Sequence, residues 1–217
     1  MNFMDSKNLG RGNLFGQKII AAGKITYQIG VGGVSPSGDA FQVDVGSTPN
    51  ASPMTYPIVI TLQNGHFQVT NSPTKIAIGD VLTWHTEDKG TRGFSVSAQN
   101  TSGYSFDSTA MADNSVFTHV CGHFGVLEWT GTYLAGGTPK TVTGKITTTV
   151  PKLSTPAERV AYQASLAGGE IITLKDGIVD KPVVSITVGQ TVFFAIQSSI
   201  GFSIVQSGFQ PQKLRVT

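Results

Sequence analysis

Apolar and polar residues alternate in short runs along most of this chain. Phe41, Val43 and Val45 share one side of residues 40–45, between Gly/Ser/Pro stretches at 32–38 and 46–53. Ile58, Ile60 and Leu62 keep the same two-residue period, as do Ile76 with Ile78, and Phe94 with Val96 and Ala98. A period of two is that of a strand with one buried face. It predicts strands at 57–62, 74–78, 81–86, 93–98, 115–121, 125–130 and 141–149. Further strands are predicted near 171–175, 183–188, 191–196, 201–206 and 213–217, and β-forming residues also surround Gly23 within 17–30. One helix is predicted. Thr155-Pro156-Ala157-Glu158 is a capping box with Pro at the first helical position, and Gly168-Gly169 supplies the stop. Residues 1–16 are rich in Gly and Asn without a period, and read as an extended arm.

Part of this pattern occurs twice. I-T-L-Q-N-G at 60–65 returns as I-T-L-K-D-G at 172–177, I-A-I-G-D at 76–80 as I-T-V-G-Q at 186–190, and G-F-S-V at 93–96 as G-F-S-I at 201–204. The order is kept while the spacing drifts, as when insertions fall in loops and spare strands. The expected fold is all-β: two tandem β-sandwich units of cupredoxin or immunoglobulin-like form, an N-terminal arm and one short linker helix. In this division residues 1–54 are the arm with its own strands, and 55–150 a complete sandwich. Residues 151–169 are the linker, and 170–217 a shorter second unit. That unit lacks two or three strands, which either the N-terminal strands or a neighbouring chain would complete.

Composition narrows the function. Charged residues make up 13% of the chain, against ~25% in an average protein. Such a Thr- and Gly-rich, low-charge chain resembles virion and decoration proteins in composition. Lys7, Arg11, Lys18 and Lys24 make the first thirty residues basic against Asp5 alone, a candidate assembly arm for an acidic neighbour. Four charges are too few for dedicated nucleic-acid binding. A single cysteine excludes an internal disulfide framework. No apolar run approaches the ~18 residues of a spanning helix, and no apolar signal region is visible at the N-terminus. Synthesis in a host cytoplasm, no membrane partner and a place in a virion are expected, with an extracellular surface as the alternative.

From Ile76 to Val150 the sequence resembles the plastocyanin-like cupredoxins. The carriers are I-A-I-G-D-V-L-T-W-H-T-E-D at 76–88, F-D-S at 106–108, V-F-T-H-V at 116–120, G-V-L-E-W at 125–129 and T-G-K-I-T-T-T-V at 143–150. The resemblance implies a cupredoxin-like β-sandwich. Its copper ligands do not carry over. Gly93-Phe94 stands where the first ligand histidine would be, and the segment after Trp129 holds no Cys, His or Met before Lys145. No cofactor is expected.

Two histidine clusters remain. His119, Cys121 and His123 alternate as H-V-C-G-H and would share a face if one strand ran through all three. The outer pair, at ~13 Å, would then be too far apart to share an ion easily. The plainer reading makes Cys121 a small core residue and the histidines edge or surface groups. His85 precedes Glu87 and Asp88, either as a hydrogen-bonded pair or as a strand end running into an acidic turn. No nucleophile elbow, Walker loop or metalloprotease motif accompanies them, and V-G-G-V at 31–34 and G-G-T-P at 136–139 read as turns. Trp84 and Trp129 are expected as core anchors.

The expected function is non-enzymatic: a bacteriophage capsid decoration or minor capsid protein, held to a homo-oligomer or to capsid subunits by strand and arm exchange. The alternative is an adhesion or carbohydrate-binding module whose loop aromatics Tyr104, Phe106 and Tyr133 would meet a glycan. A metal-binding cupredoxin-like protein is the third reading.

Overall fold

The structure, a computed structural model, describes residues 3–32, 40–90 and 92–212. The strand expected near 213–217 and most of the 32–38 turn lie outside these residues. The described chain is all-β with one short helix, as the two-residue period requires.

In chain order the strands are β1 (Asn13–Lys18), β2 (Gly23–Val31), β3 (Ala40–Gly46), β4 (Thr55–Gln63), β5 (His66–Thr70) and β6 (Lys75–Ala77). They continue with β7 (Val81–His85), β8 (Phe94–Asn100), β9 (Ser105–Asp107), β10 (Ser115–Val120), β11 (Gly125–Ala135) and β12 (Thr138–Thr149). After helix α1 (Pro156–Ser165) come β13 (Gly169–Lys175), β14 (Ile178–Val179), β15 (Val183–Thr187), β16 (Thr191–Ile196) and β17 (Phe202–Pro211). Helix α1 carries both bonds of the expected capping box, Glu158 N to Thr155 Oγ1 and Thr155 N to Glu158 Oε2.

Three sheets form. One wide sheet has the order β14-β13-β16-β10-β1-β7-β4-β5, and two narrower ones run β6-β3-β2-β8-β9 and β15-β12-β11-β17. The narrow sheets stand side by side against one face of the wide one. Tyr27 of β2 meets Trp84 of β7 edge-on at 5.6 Å, and Trp129 of β11 meets Phe194 of β16 at 5.1 Å. Both tryptophans are fully buried, as expected of core anchors.

The same strand pairings occur twice along the described chain, with α1 outside the repeat. The pair Phe15 opposite Trp84 recurs as Phe117 opposite Phe194, and Tyr27 opposite Ala98 as Trp129 opposite Gln206. The parallel pair Val45–Ile76 recurs as Thr148–Ile186. Backbone form agrees as well. Gly12 and Asn114, Gly23 and Gly125, and Gly79 and Gly189 all have positive φ, as do the hairpin tips Asn64-Gly65 and Asp176-Gly177. The first half thus ends with β8 and the second runs from β9 to β17.

This corrects the division into units. The strands at 115–149, assigned above to the first unit, open the second and supply what it lacked. The strands at 17–45 play that part for the first. No neighbouring chain is needed to complete either half. Nor are the halves tandem bodies joined by a helical linker: β1 and β10 pair directly at the centre of the wide sheet, and α1 lies inside the second half.

The free arm is corrected too. Met4, Ser6 and Leu9 are fully buried, and β1 occupies the centre of the wide sheet. Asp5 bridges Val205 of β17, in the other half. Its counterpart Asp107 in β9 pairs with Ser97 of β8, again in the opposite half. Each half therefore sends its opening segment across to the other. Leu9 and Met111 then bridge back to Phe94 and Phe202 within their own halves. Strand exchange, expected between subunits, takes place inside one chain. Its physical reason is that β8 and β17 would otherwise present open edges beside an apolar core.

Candidate functional site

The junction between the halves is polar at its core. Phe15 and Phe117 lie opposite one another, flanked on the buried side by Asn13–His119 and Gln17–Ser115. Asn13 Oδ1 lies 2.8 Å from His119 Nδ1, and Ser115 Oγ donates to Gln17 Oε1 at 2.6 Å. Asn13 spends its amide N–H on the Phe3 carbonyl at 2.7 Å, so its oxygen is the acceptor and His119 Nδ1 carries the proton. Burial, with a smaller effect from the charge of His123, lowers the His119 pKa to about 4. Gln17 Nε2 also reaches the Tyr104 hydroxyl at 2.9 Å. Burial raises that phenol to about 12 despite the bond. Asn13, Gln17, Ser115 and His119 are buried, and each makes a side-chain hydrogen bond here.

The H-V-C-G-H cluster does not lie on one strand. β10 ends at Val120, so only His119 points inward from it, while Cys121 follows in the turn and His123 is exposed. All three touch one small cavity beside Leu127, Thr148 and Phe209. Among the described residues, no three His, Cys, Asp or Glu side chains come together as a metal-binding group. Cys121 is a core residue, as the plainer reading held, and burial raises its thiol to about 12, partly offset by the Thr148 side chain. His119 as an edge group is corrected: it is 2% exposed because Asn13 gives it a partner at the junction.

His85 ends β7 on the solvent face, and its Nδ1 is buried without a hydrogen-bond partner among the described residues. Asp88 instead accepts from Leu62 N at 2.8 Å, which makes it a loop anchor. The aromatics expected to meet a glycan are turned inward. Phe106 is 8% exposed among Phe15, Trp84 and Tyr104, and Tyr133 packs on Phe202 at 4.7 Å. Tyr104 is tied to Gln17 and to the Lys18 carbonyl. The side chains of Lys7, Arg11, Lys18 and Lys24 are exposed, on segments that are themselves bound into the fold.

Two surfaces that the sequence did not reveal stand out. One is the outer face of the wide sheet. Strand alternation places Leu14, Val59, Val81, Val116, Phe193 and Ile171 there, interleaved with Thr61, Thr83, Thr118 and Thr173. Ile171 is 55% exposed, and none of these apolar side chains belongs to the core cluster or packs against it. No carboxylate lies on this face of the sheet; Lys18 and Lys175 stand at strand ends.

The other is a pair of clefts at the two exchanged segments. The first, about 730 Å³, is formed by β2, β8 and β9 with the loops at 110–112 and 199–201. Its counterpart, about 710 Å³, is lined by Asp5, Asn8, Arg11, Lys89, Val205 and Gln206 among others. The pairing of Asp5 with Val205 and of Asp107 with Ser97 puts equivalent residues in both. Their chemistry differs: the counterpart holds charged groups of both signs, and the first holds hydroxyls, amides and one carboxylate. Asp5, in the charged cleft, is raised by burial, against opposing hydrogen bonds and charge from Lys7.

No protein-family model, curated protein or solved structure matches this chain.

Proposed function

We propose that this chain is a non-enzymatic structural protein of an assembly, a virion surface component of the decoration or minor-capsid kind. The outer face of the wide sheet is where it meets other subunits. The observation that carries this reading is that face itself: apolar and threonine-rich, free of carboxylates and outside the core. Eight strands spaced at ~4.8 Å, with about five residues each at ~3.3 Å, give it roughly 600 Å². That whole face, threonines included, is near the ~800 Å² per partner of a standard interface, and the largest patches of this order on protein surfaces are often functional. With no carboxylate on it and its two lysines, Lys18 and Lys175, at strand ends, the face puts few like charges between approaching copies.

Molar mass in solution tests the reading. The purified chain should be a dimer or larger at high micromolar concentration. Phe193→Glu combined with Val116→Glu should give a folded monomer, because both changes put charge on the face and neither touches the core. A wild-type protein that stays monomeric and binds no particle overturns it.

A further inference from the structure

The first cleft, neutral but for the Asp107 carboxylate, is built as a grid. Antiparallel pairing sets Thr26 beside Gln99 and Gln99 beside Ser105, and in the next row Gln28 beside Ser97 and Ser97 beside Asp107. Neighbouring strands lie ~4.8 Å apart and same-face residues ~6.8 Å apart, so the six side chains form a regular array of donors and acceptors. Among the described residues, five of the six make no side-chain hydrogen bond. Asp107 uses one oxygen, Oδ1, on the backbone and hydroxyl of Thr109, both at 2.7 Å. Buried Ala98 and Phe106 contribute to the floor, and Ala110 and Ala112 form an apolar wall.

The equivalent positions in the second half went another way. Thr26 corresponds to Glu128, which pairs with Lys145 at 2.9 Å, and Ser97 corresponds to Val205. Where the second half carries an ion pair and an aliphatic residue, the first carries unpaired amides and hydroxyls.

We infer that the neutral cleft is a binding site for a neutral oligosaccharide. Its volume lies within the ~300–1,000 Å³ of small-molecule sites. The lining has no cation for a phosphate or acidic ligand, and it is too polar for a lipid or an aromatic one. A ligand dense in hydroxyls, with apolar C–H faces, satisfies both the grid and the alanine wall. Gln28 and Gln99 each offer an acceptor and two donors, and the free oxygen of Asp107 accepts from a hydroxyl. The site is independent of the assembly role, and its aromatic residue is a buried floor in place of an exposed platform.

The test is binding of the full chain to an array of neutral oligosaccharides of glucose, galactose, mannose and N-acetylglucosamine, with sialylated glycans included. Titration calorimetry then follows on the best neutral probe. Gln28→Ala with Gln99→Ala should weaken binding about tenfold or more while leaving the unfolding midpoint unchanged. Gln206→Ala in the charged cleft should leave binding as it was. No neutral glycan bound at millimolar concentration, binding confined to sialylated glycans, or neutral-glycan binding that survives the double substitution would each overturn the proposal.

Discussion

Phe15 lies directly opposite Phe117 on neighbouring antiparallel strands, and the two residues are each other's counterparts in the duplicated halves. A local two-fold axis therefore passes between them. It relates the Asn13–His119 pair to the Ser115–Gln17 pair, and it relates the two exchanged segments.

The exchange makes two equivalent hydrogen bonds whose loss should be matched. Ser6 Oγ accepts from Ile204 N and Ser108 Oγ from Val96 N, both at 3.0 Å. Both serines are fully buried. Ser6→Ala and Ser108→Ala should each cost about 1–2 kcal/mol, because a buried N–H loses its acceptor. Urea unfolding midpoints would show it. A large inequality between the two would mean that the halves are not held alike.

The His119 ring makes stability fall in acid. Its folded pKa is about 4 against an ordinary 6.5, lowered first by burial. Neutral imidazole is thus favoured in the folded state, so stability is full above pH 6.5 and is lost as pH falls from there towards 4. The loss should approach roughly 3 kcal/mol, since one pKa unit is ~1.4 kcal/mol. Denaturant midpoints at pH 7.5 and 4.5 measure it, and His119→Gln should flatten the slope. Asp80 acts in a separate window. Its burial would raise its pKa, yet the N–H groups of Met54 and Ala77 and the Asn50 amide hold it below 3.8. Its contribution is present above that value and is lost only below it.

Cys121 should resist thiol reagents in the native protein. With the thiol raised to about 12 and the side chain buried, almost no thiolate is exposed at pH 8. Labelling should be slow in buffer and complete within the mixing time in denaturant. Fast native labelling would show that the turn after β10 opens readily.

Gly144 makes room for Trp129. A β-carbon there would run into the indole ring and the Pro182 carbonyl. In the other half the corresponding pair is Tyr27 stacked on Phe41 at 5.3 Å, so a smaller ring with a large neighbour replaces a large ring with none. Gly144→Val should cost about 1–3 kcal/mol or more, and thermal unfolding would record it. Trp129→Tyr should recover part of that loss, because it frees the volume the valine needs.

The strands and the capped helix were legible because they depend on local period and capping. The repeat was legible only where letters survived. Its other half was hidden because what persisted there was volume and backbone form: Leu9 with Met111, Tyr27 with Trp129, Gly12 with Asn114. Even the visible match conceals a shift. I-T-L-Q aligns Ile60 with Ile172, yet Ile172 faces Phe194 while Ile58 faces the equivalent Trp84. A slide of two residues keeps the same side chains inward, so the alternation cannot register it. The neutral cleft was invisible for a related reason. Its six side chains come from three strands, and only the pairing brings them together.

The contact between Asp5 and Val205 also fastens the beginning of the chain to its last strand. A pull applied at Met4 would load the few bonds joining residues 4–6 to 204–206 before any of it reached the aromatic cores. The opening segment is thus a clasp laid across β17, one that force could release while the three sheets stayed paired.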